Sequence, residues 1–191
     1  MDNKIVLLVG VGGQGTILAG DILAKTAAAS GYDVKISEIH GMSQRGGSVS
    51  TVVSFGSDVH TMIADAGCAD VIVSFEAVEA LRNQQFLASD GCMFVNDEEI
   101  VPVSVNIGQA QMPTDTHERL VALGANLIDA GGIARSAGSP KSANVVLMGA
   151  LSTALPFDDD VWCDVISKRV PPKTVEANLA AFKAGKKAVG A

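Results

Sequence analysis

The sequence is poor in aromatic and in charged residues. Of its 191 residues, 4% are aromatic and 18% are charged, whereas 48% are hydrophobic. With so few aromatic side chains, a core must be built from Ala, Val, Ile and Leu. Short aliphatic runs of this kind are typical of parallel strands that are covered by helices on both faces. The composition therefore predicts an α/β fold, and the length suits one domain over residues 1–191.

Features of several other protein classes are missing. No apolar run approaches the roughly 20 residues that a membrane-spanning helix needs, and the first residues lead into a short strand instead of a signal peptide. The net charge is −7, and the only cluster of basic residues is Lys183, Lys186 and Lys187, which suits the positive last turn of a helix. A nucleic-acid face needs more basic surface. We expect a cytoplasmic protein that binds neither nucleic acid nor membrane.

Cysteine is also scarce. Cys68, Cys92 and Cys163 are odd in number and widely spaced. Their spacing gives no disulfide framework, no zinc site and no run of iron–sulfur ligands. We expect all three to be buried small apolar residues and predict no metal site.

Strand and helix patterns alternate along the chain. They predict strands at residues 4–9, 33–38, 48–55, 59–63, 70–74, 92–96, 101–105 and 125–128, and helices at residues 14–30, after residue 74, and at residues 141–154, 158–170 and 173–188. Strand 59–63 is expected to pair with strand 48–55 across the turn Gly56-Ser57-Asp58. The predicted fold is a three-layer αβα sandwich, with a Rossmann-like, mostly parallel sheet, some antiparallel strands and a helical C-terminal part.

The first strand leads into a glycine-rich loop, Gly10–Gly15. Gly10, Gly12 and Gly15 match a spacing in which glycines allow a tight turn and bring a phosphate close to a helix N-terminus. Glu38, at the end of the second strand, stands where a dinucleotide-binding domain places an acidic residue. The loop leaves three interpretations open: an anion site, the cofactor site of a free-standing NAD(P)-dependent dehydrogenase, or close packing of helix and strand without a ligand.

Two details count against the dehydrogenase. Gln14 places a polar side chain where such domains have small apolar residues. Glu38 is followed by an unusual polar segment, residues 38–49, with three glycines. In it, Arg45 followed by Gly46 and Gly47 offers a guanidinium group beside bare backbone N–H groups, which suits a carboxylate or a phosphate. A solvated surface turn is the alternative, and His40 taken alone is more typical of a structural histidine.

The two glycine-rich motifs together resemble the γ-type domain of the 2-oxoacid:ferredoxin oxidoreductases. The run His-Gly-Met-Ser-Gln-Arg-Gly-Gly at residues 40–47 is most similar to that of small subunits whose enzymes act on aryl 2-oxoacids such as indolepyruvate. Asp70, Asn144 and the segment from Pro172 to Phe182 extend the resemblance over nearly the whole chain.

The resemblance implies an assembly that oxidatively decarboxylates an aryl 2-oxoacid to an acyl-CoA and reduces ferredoxin. Thiamine diphosphate, Mg²⁺ and [4Fe–4S] clusters would lie on a large partner subunit, and CoA would be a co-substrate. This chain would bind none of the cofactors alone and would supply no catalytic residue, because the chemistry belongs to the thiamine cofactor. Without its partner the chain would be inactive and would expose the apolar surface of the interface. A homodimer could then form through that surface. In a weaker form of this hypothesis, the chain is a scaffold whose loops pack on the partner and contact no ligand.

The resemblance also implies site residues. Those expected to contact CoA phosphates or the partner are Gly10, Gly12, Gly13, Gln14, Gly15, Arg45, Gly46 and Gly47. Further candidates for the interface or the substrate side are Glu38, His40, Met42, Ser43, Gln44 and Asn144.

Overall fold

A computed structural model describes residues 3–40 and 46–189, with the side chains of His40, Val103 and Ser104 left out. The strands in this part of the chain are β1 (Lys4–Val11), β2 (Asp33–His40), β3 (Ser48–Gly56), β4 (Ala69–Ser74), β5 (Leu87–Asn96) and β6 (Asn126–Ile128). They form one sheet in the order β2-β3-β1-β4-β5-β6. β1, β4, β5 and β6 are parallel, and β3 lies antiparallel between β2 and β1. The predicted mixed, mostly parallel sheet is confirmed.

The helices begin and end close to the predicted positions where the sequence has clear signals. They are α1 (Thr16–Ala29), α2 (Ala77–Asn83), α3 (Val103–Asn106), α4 (Thr116–Ala122), α5 (Ala130–Ser136), α6 (Ala143–Ser152), α7 (Asp159–Arg169) and α8 (Val175–Ala188). Gly31 ends α1 with a φ of 88°, a conformation that glycine adopts at little cost. Lys186 and Lys187 lie in the last turn of α8, as predicted. None of the helices in the described ranges is long and apolar enough to cross a membrane.

The sheet has a buried layer on each face. On one face, Val6 and Leu8 of β1 belong to a core that includes residues of α1, α6, α7 and α8. On the other face, Leu7 and Val9 pack with α2 and with Leu120 of α4. Alternate residues of one strand thus serve both layers, which is the predicted αβα sandwich.

Two predicted strands are wrong. Residues 59–63 form no strand, because β3 is already paired with β1 on one side and β2 on the other, so it has no free edge for a hairpin partner. Residues 101–105 do not form a strand either. The Pro102 carbonyl accepts hydrogen bonds from Val105 N and Asn106 N, which closes the first turn of α3. Proline is favoured at such a helix start.

The cysteines are less buried than predicted. Cys68 is exposed, in the turn that precedes β4, and Cys92 and Cys163 are partly exposed. Cys92 lies in β5 and Cys163 in α7, and all three are free thiols. Burial nevertheless raises the pKa of the Cys92 and Cys163 thiols above the ordinary value, so neither has the character of a reactive thiolate.

Candidate functional site

The glycine-rich loop lies where the sheet changes winding direction. From β1 the chain passes through α1 to β2 on one side of the sheet. From β4 it passes through α2, on the opposite face, to β5 on the other side. The carboxyl ends of β1 and β4 therefore border a crevice of the kind in which open α/β sheets bind their ligands.

Gln14 determines the shape of this loop. Its side-chain oxygen accepts a hydrogen bond from Val11 N at 2.7 Å, and its side-chain nitrogen donates to the carbonyl of Phe75 at 2.8 Å. Gly10 makes room for this arrangement, because a Cβ there would lie 2.8 Å from the Gln14 oxygen and 2.9 Å from Phe75 Cβ. Gln14 thus ties the loop to the end of β4.

The start of α1 depends on Asn144. Gly15 has a φ of 83°, and a Cβ there would lie 2.6 Å from Asn144 Nδ2. The same nitrogen is 3.4 Å from the Gly15 carbonyl oxygen, to which it donates a hydrogen bond. Asn144 is buried in α6. The structure therefore places this interface candidate against the back of the loop.

The two glycine-rich motifs meet directly. Gly12 N donates to the Gly47 carbonyl at 2.9 Å, and Gly46 N donates to the Gly12 carbonyl at 3.4 Å. We call these three residues the glycine crossing. It extends the β1–β3 ladder, which ends at the pair Val11 and Ser48. Met42, Ser43, Gln44 and Arg45 lie outside the described residues.

Glu38 and His40 are separated from β1 by the inserted strand. Glu38 pairs with Thr51 of β3, and Thr51 pairs on its other side with Leu8 of β1. Two strand spacings, or roughly 10 Å, thus separate Glu38 from β1. In a dinucleotide-binding domain the acidic strand is adjacent to the first strand. The arrangement therefore does not support the NAD(P)-dependent dehydrogenase.

Two buried glutamates border the crevice, and the sequence interpretation missed both. Glu76 caps the N-terminus of α2, where its carboxylate accepts hydrogen bonds from Glu79 N at 2.7 Å and Ile100 N at 3.0 Å. Glu79 accepts from the Ser48 hydroxyl at 2.6 Å and from Arg82 at 2.9 Å. A signal was available, because Glu76 follows a buried strand at the carboxyl edge of the sheet.

The ionisation of Glu76 should make stability depend on pH. Burial raises the pKa of this carboxyl above its ordinary value, although the hydrogen bonds from backbone N–H groups partly oppose the shift. The folded protein thus holds this proton more tightly than the unfolded chain does. The contribution of Glu76 to stability is highest below the ordinary pKa and falls as pH rises through the raised one.

We expect the free energy of unfolding of the wild type, relative to that of Glu76→Gln, to fall between about pH 4 and about pH 7. Urea unfolding of both proteins at the two pH values measures this difference. Glu99→Gln, which changes an exposed carboxylate nearby, is the control. A difference between wild type and Glu76→Gln that stays constant, or rises with pH, would contradict the raised pKa.

One pocket in the described part of the crevice is small. It has a volume of about 80 Å³ and is lined by Val11, Gly46, Ser48, Glu76, Val78, Glu79, Arg82, Ile100, Val101 and Pro102. Pockets for cofactors and drug-sized ligands span about 300–1,000 Å³. Fold and site together define a Rossmann-like domain with a glycine-lined switch point but without the strand arrangement of a dinucleotide site.

Comparison with known proteins places this domain in a family. The model of the family "Pyruvate ferredoxin/flavodoxin oxidoreductase" matches residues 5–188. "Indolepyruvate oxidoreductase subunit IorB" of Thermococcus kodakarensis is 43% identical over 195 aligned residues, which cover 98% of this chain and 96% of that protein. The chain belongs to the pyruvate ferredoxin/flavodoxin oxidoreductase family, and its homologues are subunits of 2-oxoacid:ferredoxin oxidoreductases.

Solved structures show the same fold. The γ subunit of a keto/oxoacid ferredoxin oxidoreductase from Geobacter sulfurreducens matches with a TM-score of 0.72 at 24% identity, covering 98% of this chain and 99% of that one. The 2-oxoglutarate:ferredoxin oxidoreductase of Magnetococcus marinus, solved with 2-oxoglutarate, coenzyme A and succinyl-CoA, matches with a TM-score of 0.75 at 23% identity. This chain covers 31% of that longer one. These structures confirm the fold of a γ-type domain, and the family match and the curated relative confirm the resemblance.

Proposed function

We propose that this chain is the non-cofactor-bearing subunit of an aryl 2-oxoacid ferredoxin oxidoreductase that acts on indolepyruvate. It supports thiamine-dependent oxidative decarboxylation to acyl-CoA, with reduction of ferredoxin, by completing an active site at a subunit interface. The observation that carries the proposal is the glycine crossing at the carboxyl edge of the sheet, in a chain that is 43% identical to an indolepyruvate oxidoreductase subunit. We expect a second chain to cover the crossing and complete the site.

The donor atoms of the described residues support a cofactor-bearing partner. Cys92 lies in β5 and Cys163 in α7, and the described ranges contain no group of three His, Cys, Asp or Glu side chains that could hold a metal ion. These residues do not fit a [4Fe–4S] cluster, which requires four converging ligands. We therefore assign the clusters, thiamine diphosphate and Mg²⁺ to a large partner subunit, through which ferredoxin receives its electrons.

The glycine-rich loop suits a contact with an anionic group such as a CoA phosphate. In the described part of the chain the N–H groups of Gly13 and Gly15 make no hydrogen bond, and they lie just before α1, a helix of 14 residues. Such N–H groups and the positive end of the helix dipole stabilise an anion. Gln14, whose amide is already bonded on both sides, acts by shaping the loop.

Exposed apolar side chains along one groove of the sheet support a protein partner. Ile39 at the end of β2 is 64% exposed and Ile63 is 67% exposed, and both line this groove together with Met62. Large apolar side chains grouped on a surface are typical of an interface. We propose that the large partner subunit covers this apolar surface in the cytoplasm. When the chain is isolated without its partner, we expect a homodimer to form through the same surface.

Co-expression tests the assembly. A tag on this chain should co-purify a large thiamine-diphosphate subunit in constant stoichiometry. Ile63→Asp should weaken the complex, because it places a charge on the proposed interface. The matched control is Val121→Asp, at an exposed apolar position of α4, which should leave the complex unchanged. Failure of the wild-type pair to co-purify would contradict the proposal.

Arg45→Ala tests participation in turnover. We expect the assembled complex to lose at least about tenfold in kcat, because a guanidinium group that orients an anionic substrate contributes several kcal/mol. Thermal unfolding should be unchanged. Arg135→Ala, which removes an exposed arginine of α5, is the control. An Arg45→Ala rate equal to that of the wild type would leave this chain as a scaffold.

A further inference from the structure

We propose that Ser48 and Glu79 position the glycine crossing and thereby set the turnover rate of the assembled enzyme. The inference rests on the proposed function. Both are positioning residues: Glu79 acts on the crossing through Ser48, and neither contacts the substrate. Gln14 holds the β1 side of the crossing through Val11 N, and the proposal follows from how few side chains hold its β3 side in the described part of the chain.

Among the described residues, two hydrogen bonds between backbone groups hold the crossing. One is 2.9 Å long, from Gly12 N to the Gly47 carbonyl, and the other is 3.4 Å long, from Gly46 N to the Gly12 carbonyl. Glycines add no side-chain packing, and they lose more conformational freedom on ordering than any other residue. Gly46 also has a φ of 77°. The nearest side-chain constraint along β3 is therefore the hydroxyl of Ser48.

Glu79 provides a rigid acceptor for that hydroxyl. Its side chain is only 5% exposed, and its backbone N–H is bound by the Glu76 carboxylate, which also binds Ile100 N. The Ser48 hydroxyl donates to Glu79 at 2.6 Å, a short contact typical of a hydrogen bond to an ionised carboxylate. This hydrogen bond thus joins the crossing to the first turn of α2, on the far side of the crevice.

The hydrogen bond between Ser48 and Glu79 matters more for the position of the glycine crossing than the ion pair between Arg82 and Glu79 does. Arg82, the other partner of Glu79, has a side chain that is 54% exposed, so solvent weakens their attraction. Ser48 is also exposed, so water can replace its hydroxyl at the Glu79 oxygen, but water, unlike the hydroxyl, does not tie β3 to α2. Ser48 is therefore the residue whose removal should release the crossing.

The complex itself provides the first test. We expect Ser48→Ala to lower kcat about tenfold, because small misplacements of a positioned group have effects of this size. The KM for the 2-oxoacid and the yield of complex should stay within about twofold of the wild type. Ser48→Thr keeps the hydroxyl and suits a strand, so it should restore kcat. Ser50→Ala is the matched control. It makes the same change on the same face of β3, where the serine side chain has no hydrogen bond within the described ranges.

Hydrogen exchange on the full isolated chain provides an independent test. Ser48→Ala should speed exchange of the Gly12 and Gly46 amides about tenfold, and Ser50→Ala should leave both rates unchanged. If the wild-type complex needs this chain but Ser48→Ala matches it in kcat, or exchange does not change, the positioning role is overturned while the proposed function stands. If exchange rises but the large subunit works without this chain, Ser48 still holds the crossing, but its role in turnover fails together with the proposed function.

Discussion

Replacing Gly185 by Ala is expected to lower the free energy of unfolding by about 3 kcal/mol, the upper part of the range for overpacked cores. Gly185 of α8 lies against α6, where a Cβ would be 1.9 Å from the Val146 carbonyl oxygen. Gly149 of α6 is equally close, since a Cβ there would be 2.0 Å from the Phe182 carbonyl oxygen. Both obstacles are backbone atoms, so only separation of the two helices could relieve the overlap. Urea unfolding measures the loss.

Gly131→Ala is the matched control for Gly185→Ala. It makes the same change within a helix, but the nearest atom to the new Cβ is the end of the Arg135 side chain at 3.4 Å. Because alanine favours helix over glycine by about 1 kcal/mol, this variant should be as stable as the wild type or more so. Equal stability of the two variants would show that α6 and α8 do not pack at this distance.

Gly15→Ala is expected to lower the free energy of unfolding by about 3 kcal/mol and to reduce turnover of the complex. A left-handed backbone costs about 1–2 kcal/mol for alanine, and Gly15 has a φ of 83°. The new Cβ would also lie 2.6 Å from Asn144 Nδ2, which forces the buried amide or the start of α1 to move. The backbone strain and the overlap with Asn144 together give the expected loss of unfolding free energy, which urea unfolding measures.

Gly13→Ala separates the backbone strain from the overlap with Asn144. Gly13 also has a positive φ, 106°, but a Cβ there would have no neighbour within 4 Å in the described structure. It should cost only the backbone strain, about 1–2 kcal/mol. In an Asn144→Ala background, the cost of Gly15→Ala should fall towards the same value. If the two glycine variants are equally destabilised in the wild-type background, Asn144 does not constrain the loop.

The layers of the fold could be predicted because their signals are local. Short aliphatic runs indicated buried strands, and Gly31 and the three aspartates at residues 158–160 marked helix ends correctly. The order of the strands could not be predicted in this way. Insertion of β3 between β2 and β1 depends on pairing between distant segments, and it is this insertion that separates Glu38 from β1 and leaves residues 59–63 without a strand partner.

The contacts around the candidate site could not be predicted for the same reason. The two glycine-rich motifs stood out in the sequence, but it is the glycine crossing that shows them in contact. The unusual Gln14 was recognised, but its bond to the Phe75 carbonyl joins residues far apart in sequence. Glu76 and Glu79 escaped notice because neither carries a motif of its own. Only the fold brings their side chains to one crevice.

Reconstitution of turnover tests the central claim most directly. The large subunit is purified alone, and this chain is titrated into it while reduction of a viologen dye is followed with indolepyruvate and CoA. We predict negligible reduction by either component alone, and a rate that rises and then saturates at a fixed ratio of the two chains. A large subunit that reaches its full rate without this chain would contradict the claim that the glycine crossing completes a shared active site.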